Sequence, residues 1–364
     1  MIDLISDTVT MPDREMLQAI LTAELGDAGR TRPDGRGEDE TTNRLEDMAA
    51  RITGKAAAAF FPSGTMANTA ALLSQCGPGD RVLVDEKQHI LLSEKVCFEE
   101  RYFRLVPVCC RLAALGGPDT EDVRRILETE EIRLVCIENT HNFSGGKCIP
   151  LSDMRSIYEM AADRNIRVHM DGARLFHAAE ALGVTAAELC RYADSVMFCI
   201  SKGLGAPIGS LLCGTAEVIK EAKEVRKMLG GAMRQSGVAA ACGIYALEHN
   251  VKRLAEDHAH AKAAARRLEA LRTVQADTEP QTNIVLLDLR SSGVTAADFG
   301  RLFLKHGVRG LAVSAYELRL VFHLGITGEE AIRAAEAVLE IDRLITGRRL
   351  SHPEAALQPP APLS

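Results

Sequence analysis

Lys202 stands in the run Ser201-Lys202-Gly203-Leu204-Gly205, directly after an apolar stretch at 195–200. Read as a strand end, this sets an amine at a sheet edge among glycines that admit a planar ring. Desolvation and a nearby cation lower a lysine's pKa and leave the neutral amine that forms a Schiff base with a carbonyl. A Ser-Lys-Gly tripeptide alone is more often a solvated turn, so its company decides. Upstream, in His169-Met170-Asp171-Gly172-Ala173-Arg174, another expected strand ends on a carboxylate. Asp171 could salt-bridge a protonated pyridine nitrogen and keep that ring an electron sink, or could simply cap the following helix. Further upstream, Phe61-Pro62-Ser63-Gly64-Thr65 joins a strand to a helix, and the N–H groups at a helix start are a ready anion site. Gly64 and Thr65 are placed to hold a phosphate, although Ser and Thr at such a turn are also ordinary caps. Phosphate cup, aspartate and lysine, each following a strand, form a constellation that a chance core would rarely supply.

Positioning these groups calls for a parallel sheet. From about 40 to 250, short apolar, β-branched runs alternate with helical stretches, as in an α/β domain whose mainly parallel central sheet is covered by helices. Strands are expected at 57–61, 81–84, 134–138, 167–170, 195–200 and 209–213, and helices at 65–75, 152–163, 217–228 and 236–249, the last passing into a charged helix through Arg267. Beyond 269–280 the rhythm changes to strand 284–289, helix 296–306, strand 318–322 and helix 329–345, the outline of a small α+β domain. The expected divisions are an N-terminal arm at 1–15, a large domain at 16–250, a small C-terminal domain at 251–346, and a proline-bearing disordered tail at 347–364.

The chain's 364 residues, 46% hydrophobic and 26% charged, suffice for a large core and a second, smaller one. A net charge of −7 without a long Lys/Arg block argues against nucleic acid as a partner. No apolar run approaches the ~20 residues of a membrane span, and the start carries no basic leader pattern, so a cytoplasmic protein is expected. The ten cysteines never fall in a C-x-x-C spacing and several sit in apolar runs, which reads as reduced core thiols, and no ligand cluster for a metal is visible.

Further stretches widen the pattern: Ser6-Asp7-Thr8-Val9-Thr10, Pro62-Ser63-Gly64-Thr65-Met66-Ala67-Asn68, Ile137-Glu138-Asn139-Thr140-His141-Asn142, Arg226-Lys227-Met228-Leu229-Gly230-Gly231, Met233-Arg234-Gln235 and Leu318-Arg319-Leu320-Val321. With them the chain, from about Leu4 to Ile345, resembles the threonine aldolase family of fold-type I pyridoxal-5′-phosphate (PLP) enzymes. The resemblance implies that Lys202 is the Schiff-base lysine, that Asp171 partners the pyridinium, and that Gly64 and Thr65 hold the phosphate, with Ser201 also at the cofactor. It implies that Arg234 binds the phosphate from a neighbouring subunit, that His89 stacks on the ring as a catalytic residue, and that His141 lies near the substrate hydroxyl, where it could assist proton removal. Ser6, Arg174 and Arg319 match groups that bind the amino-acid carboxylate, and Arg174 also reaches the cofactor.

The activity so implied is retro-aldol cleavage of L-threonine, L-allo-threonine or another β-hydroxy-α-amino acid to glycine and an aldehyde. The implied assembly is a homo-oligomer with active sites at a dimer interface, commonly a homotetramer. A β-eliminating lyase, racemase or aminotransferase on a related amino acid would start from the same cofactor and lysine. A non-catalytic paralogue of the same fold is the reading from another class. The segment from Gly26 to Glu40 departs from the family pattern, and its Arg30, Arg32 and Arg36 could select an acidic side chain or form a solvated loop.

Overall fold

A computed structural model of the chain describes residues 1–113 and 116–351. Thr10–Ala255 form one compact unit, and Met1–Val9 with the chain from Glu256 on form another. The first is built on a sheet that has seven strands among the described residues: β1 (Ala57–Phe61), β2 (Arg81–Asp85), β3 (Val106–Cys110), β4 (Leu134–Glu138), β5 (Arg167–Asp171), β6 (Ser195–Cys199) and β7 (Ser210–Gly214). Their order is β1-β7-β6-β5-β4-β2-β3. Strands β2 to β6 are parallel, and β7 runs antiparallel to β6 and β1.

Strands β4, β6 and β7 are buried along their whole length, which is why they read as unbroken apolar runs. Neighbouring residues still point to opposite faces: Leu83, Val135, Ile137, Met170 and Phe198 join one core cluster, Val82, Val84, Leu134, Cys136 and Met197 another. Helices Gly64–Leu73 and Ala216–Met228 bring Ala67, Ala70, Ile219 and Val225 to the second cluster, while Leu151–Ala162 brings Met154 and Ile157 to the first. Each large side chain so buried contributes roughly 1.5–3 kcal/mol. All ten cysteines are free.

Strand β3 is absent from the expected set because Pro107 interrupts its pattern. It lies at the sheet edge, where a missing N–H is tolerated. Helices Glu40–Thr53 and Thr120–Thr129 also go beyond the expected set, and each starts on an aspartate, Asp39 and Asp119, whose side chain accepts a first-turn N–H.

In the other unit, Ile284–Asp288 pairs antiparallel with Glu317–Val321, and helices Ala296–Lys305 and Gly328–Ser351 help to bury Phe299, Phe303, Val338 and Ile341. Ile2–Asp3 pairs in parallel with Val308–Arg309, which draws the start of the chain into this unit. The last helix continues to Ser351, past the expected tail start at Gly347, since the first helix breaker is Pro353. The rest of that expected tail, 352–364, lies outside the described residues. Among the described residues no helix is long and apolar enough to cross a membrane.

Candidate active site

The chemistry-bearing residues of the Thr10–Ala255 unit follow the carboxyl ends of strands that share one direction, the edge at which open α/β sheets bind ligands. β1 ends at Phe61 ahead of Gly64, β2 at Asp85 ahead of His89, and β4 at Glu138 ahead of His141. β5 ends at Asp171 ahead of Arg174, and β6 at Cys199 ahead of Lys202.

Helix Gly64–Leu73 starts on Ser63, whose hydroxyl accepts the Met66 N–H at 3.2 Å. That cap leaves the N–H groups of Gly64 and Thr65, at the positive end of the helix, for another acceptor. A Cβ on Gly64 would lie 2.9 Å from Cys199 Sγ and 3.0 Å from Met197 Cε, so glycine lets the helix start press against β6. Lys202 is half-buried and lines a small pocket with Ala173, Arg174, Cys199 and Leu204. Next to it, a Cβ on Gly203 would meet His177 Nε2 at 2.7 Å. Ser201 Oγ donates to the Gly209 carbonyl at 3.2 Å. Burial pushes the Cys199 thiol up in pKa, the Lys202 charge pulls it down, and Asp171 and Glu94 push it up again. One sulfur therefore senses the amine and both carboxylates.

Asp171 is buried, with Oδ1 accepting the Ala173 N–H at 3.0 Å and Oδ2 accepting Asn68 Nδ2–H at 3.0 Å. The His89 ring stacks on Phe143, with centroids 6.1 Å apart and planes at 18°. His89 Nδ1 lies 3.2 Å from Glu94 Oε1. Burial works to lower the His89 pKa, but the Glu94 hydrogen bond and the charges of Asp171, Glu138 and Glu94 outweigh it and hold it above the usual value.

Glu138 ties several of these groups together, its Oε2 accepting the backbone N–H of His89 at 2.7 Å and its Oε1 that of Asn142 at 2.9 Å. Burial raises the Glu138 carboxyl above its ordinary value against the pull of His141 and those two N–H groups. Arg174, also buried, donates from Nη1 to Asn142 Oδ1 at 3.0 Å. His141 is fully buried, with Nε2 3.1 Å from Asp85 Oδ1 and with Nδ1 lacking a hydrogen-bond partner among the described residues. Burial works to lower its pKa, but Glu138 and Asp85 outweigh it and hold it above the ordinary histidine value.

Ser6 and Arg319 belong to the other unit, where Arg319 is buried on its strand and its guanidinium approaches the carbonyl of Ile5 at 3.5 Å, one residue from Ser6. Arg234 is 72% exposed and pairs with Asp27 at 2.8 Å. In the Gly26-to-Glu40 segment, Arg32 pairs with Glu40 at 3.2 Å and Arg36 with Asp47 at 2.8 Å, so much of its added charge is matched within the chain.

Sequence reasoning did not single out Asn68, Glu94 and Glu138, which the structure joins by hydrogen bonds to Asp171 and His89. Asn68 carried a signal, a polar residue amid Ala and Met on a helix that has to bury a face, since a buried amide needs partners. An anion cradle at a helix start, a buried carboxylate whose oxygens are oriented by N–H groups, and an amine after the next strand fit a phosphate-bearing pyridine aldehyde such as PLP.

Residues 3–292 match the model of the β-eliminating lyase family. The chain is 41% identical to the low specificity L-threonine aldolase of Escherichia coli K12 over 341 residues, which cover 92% of this chain and 97% of that protein. It is 36% identical to the low-specificity L-threonine aldolase 1 of Arabidopsis thaliana over 336 residues, covering 90% and 92% of the two chains. In fold it is similar to the threonine aldolase of Leishmania major, with a TM-score of 0.76 at 18% identity, covering 95% of this chain and 100% of that one.

Proposed function

Because the chain belongs to the β-eliminating lyase family, and within it to the threonine aldolases, we propose that it is a PLP-dependent carbon–carbon lyase that splits L-threonine or L-allo-threonine into glycine and acetaldehyde. The placement of Gly64, Asp171 and Lys202 at the carboxyl ends of three strands of one direction, with Cys199 beside both Gly64 and Lys202, supports the residue assignments most strongly. Bound PLP supplies an electron sink for the charge left on the amino acid's Cα when a bond to it breaks. Lys202 is assigned as the amine that holds the cofactor, Asp171 as the partner of the pyridine nitrogen, and the N–H groups of Gly64 and Thr65 as phosphate ligands, with Ser201 beside them. His89 is assigned to one face of the ring.

His141 is the proposed proton acceptor for the substrate hydroxyl. With Nε2–H directed at Asp85, its buried Nδ1 keeps a lone pair that takes the proton directly or through a water. Arg174 is assigned to the substrate carboxylate and the cofactor, and the family likeness assigns Ser6 and Arg319 to the same carboxylate. We assign Arg234, exposed on its own chain, to the phosphate of a neighbouring subunit in a homo-oligomer, proposed to be a homotetramer. A cytoplasmic location completes the reading.

The test supplies L-threonine, L-allo-threonine, phenylserine and β-hydroxyaspartate to the PLP-loaded protein and to its Lys202→Ala variant. Glycine with the matching aldehyde, lost in the variant, is the expected result. Ammonia and a keto acid in place of glycine would make the protein an eliminating lyase and remove the aldolase reading.

A further inference from the structure

A second layer of buried polar side chains stands behind the groups assigned to the cofactor. Asn68 Nδ2 lies 3.0 Å from Asp171 Oδ2 and 3.2 Å from both carboxylate oxygens of Glu94, so it must be the donor end of that amide. Its two N–H bonds serve one carboxylate each. Asn68 Oδ1 then faces His169 Nε2 at 3.2 Å and can only accept, which places the His169 proton on Nε2. His169 Nδ1, 2.9 Å from Ser195 Oγ, accepts in turn from that hydroxyl, and Ser195 Oγ accepts from Gln75 Nε2 at 3.0 Å. Every hydrogen in the chain from Gln75 through Ser195, His169 and Asn68 thus points toward Asp171 and Glu94. Burial lowers the His169 pKa to about 4, against the pull of Asp171 and a backbone group, which keeps the ring neutral as this direction requires.

The far end of the layer reaches His89. Glu94 ends the short helical turn Ile90–Glu94 that His89 begins, its side chain is 8% exposed, and its Oε1 takes the contact with His89 Nδ1 at 3.2 Å. Single ligand atoms of His89, Glu94 and Asp171 lie within 4.8 Å of one another. Two carboxylates held this close repel unless donors are set between them, and the Asn68 amide supplies those donors. The amide is thus a bracket between two groups with different assigned tasks.

Resting on the function proposed above, we propose that Asn68 and Glu94 are positioning residues of the cofactor site. Glu94 fixes the His89 ring assigned to one face of the pyridine, while Asn68, itself fixed by His169, holds Glu94 and Asp171 together, so that the face-covering and nitrogen-binding groups are set as one unit. Loss of either residue loosens both groups, and the two losses are not additive because they break one network.

The test uses the PLP-loaded full chain, the Glu94→Gln variant, the Asn68→Asp variant and the double variant, each checked for folding by circular dichroism. Two quantities are read: the PLP dissociation constant from the cofactor's visible absorbance, and the His89 titration midpoint by imidazole NMR. Glu94→Gln keeps an acceptor for His89 but removes its charge, leaving Glu138 and Asp171 as the acidic groups facing the ring. The midpoint is expected to fall by about one pH unit and PLP binding to weaken about tenfold, the scale of one charge-assisted hydrogen bond. Asn68→Asp, equal in size, is expected to weaken PLP binding at least as much, and it decides the question if Glu94→Gln does not fold. The double variant is expected to bind PLP no more weakly than the poorer single variant. Unchanged PLP affinity in a folded Glu94→Gln protein overturns the proposal, whatever the imidazole does, as do fully additive losses. A wild-type chain that takes up no PLP sinks the proposed function and this inference together, whereas a wild type that binds it beside an indifferent variant sinks the inference alone.

Discussion

Replacing Asp85 by asparagine tests whether the buried pair with His141 does what its geometry suggests. The imidazole is fully buried, and at 3.1 Å its Nε2 is within hydrogen-bonding distance of Asp85 Oδ1. The acidic groups acting on it are Glu138 at the end of β4 and Asp85 at the end of β2, with Lys87 as the opposing cation. Because the folded pKa lies above the ordinary histidine value of about 6.5, the charged imidazole stabilises the fold most below that pH. That stability fades as pH rises through the folded pKa. A hydrogen bond to a charged group contributes about 1.5–3 kcal/mol, and Glu138 remains in Asp85→Asn, so the variant should lose roughly that amount or somewhat less near pH 5.5. The loss should shrink steadily as pH rises past the His141 pKa. Urea unfolding of both proteins between pH 5 and pH 9 reads the difference directly, with the linear extrapolation applied at each pH. In the same variant the amide can no longer hold the imidazole in its acceptor tautomer, so aldol cleavage should slow by about 10²-fold or more while the protein stays folded. A stability difference that is flat or grows with pH would refute the assignment of the raised pKa to this pair, and an unchanged rate would remove His141 as the proton acceptor.

Other consequences follow from single contacts. Gly203→Ala drives a Cβ to 2.7 Å from His177 Nε2, and this overpacking should cost about 1–3 kcal/mol, seen as a lower urea midpoint with an unchanged slope. Asp171→Asn should leave PLP bound but cut glycine formation by at least ~10²-fold, because a neutral amide cannot hold a positive charge on the ring nitrogen; near-normal turnover would contradict the assignment. Arg36 and Asp47 form a half-exposed pair at 2.8 Å, so Arg36→Ala should change stability by less than about 1 kcal/mol. The same variant should leave the ratio of turnover on β-hydroxyaspartate to that on threonine unaltered, and a large drop in that ratio would revive selection of acidic substrates by this loop.

The parallel sheet was legible because strands such as Leu134–Glu138 and Ser195–Cys199 are buried on both faces and carry the unbroken apolar runs 134–137 and 196–199. The proposed site was partly legible as well: Lys202 is the first charged group after the apolar run at 196–200, where a charge stands out, and Asp171 is the carboxylate on which a strand ends. What escaped was set by partners distant in sequence. Asn68 matters through Asp171 and His169, each more than a hundred positions away, and Glu94 through a short helical turn that no local apolar pattern announces. The edge strand Val106–Cys110 was hidden by Pro107 and by its exposed outer residues. The start of the chain read as an arm because its pairing with Val308–Arg309 is non-local.

The central claim is that Lys202 is the residue that holds the cofactor. Reducing the PLP-loaded protein with borohydride, digesting it and mapping the modified peptide by mass spectrometry tests this without reference to any substrate. A pyridoxyl label on Lys202 alone is the predicted result. A label on another lysine, or none on a protein that has taken up the cofactor, would contradict it.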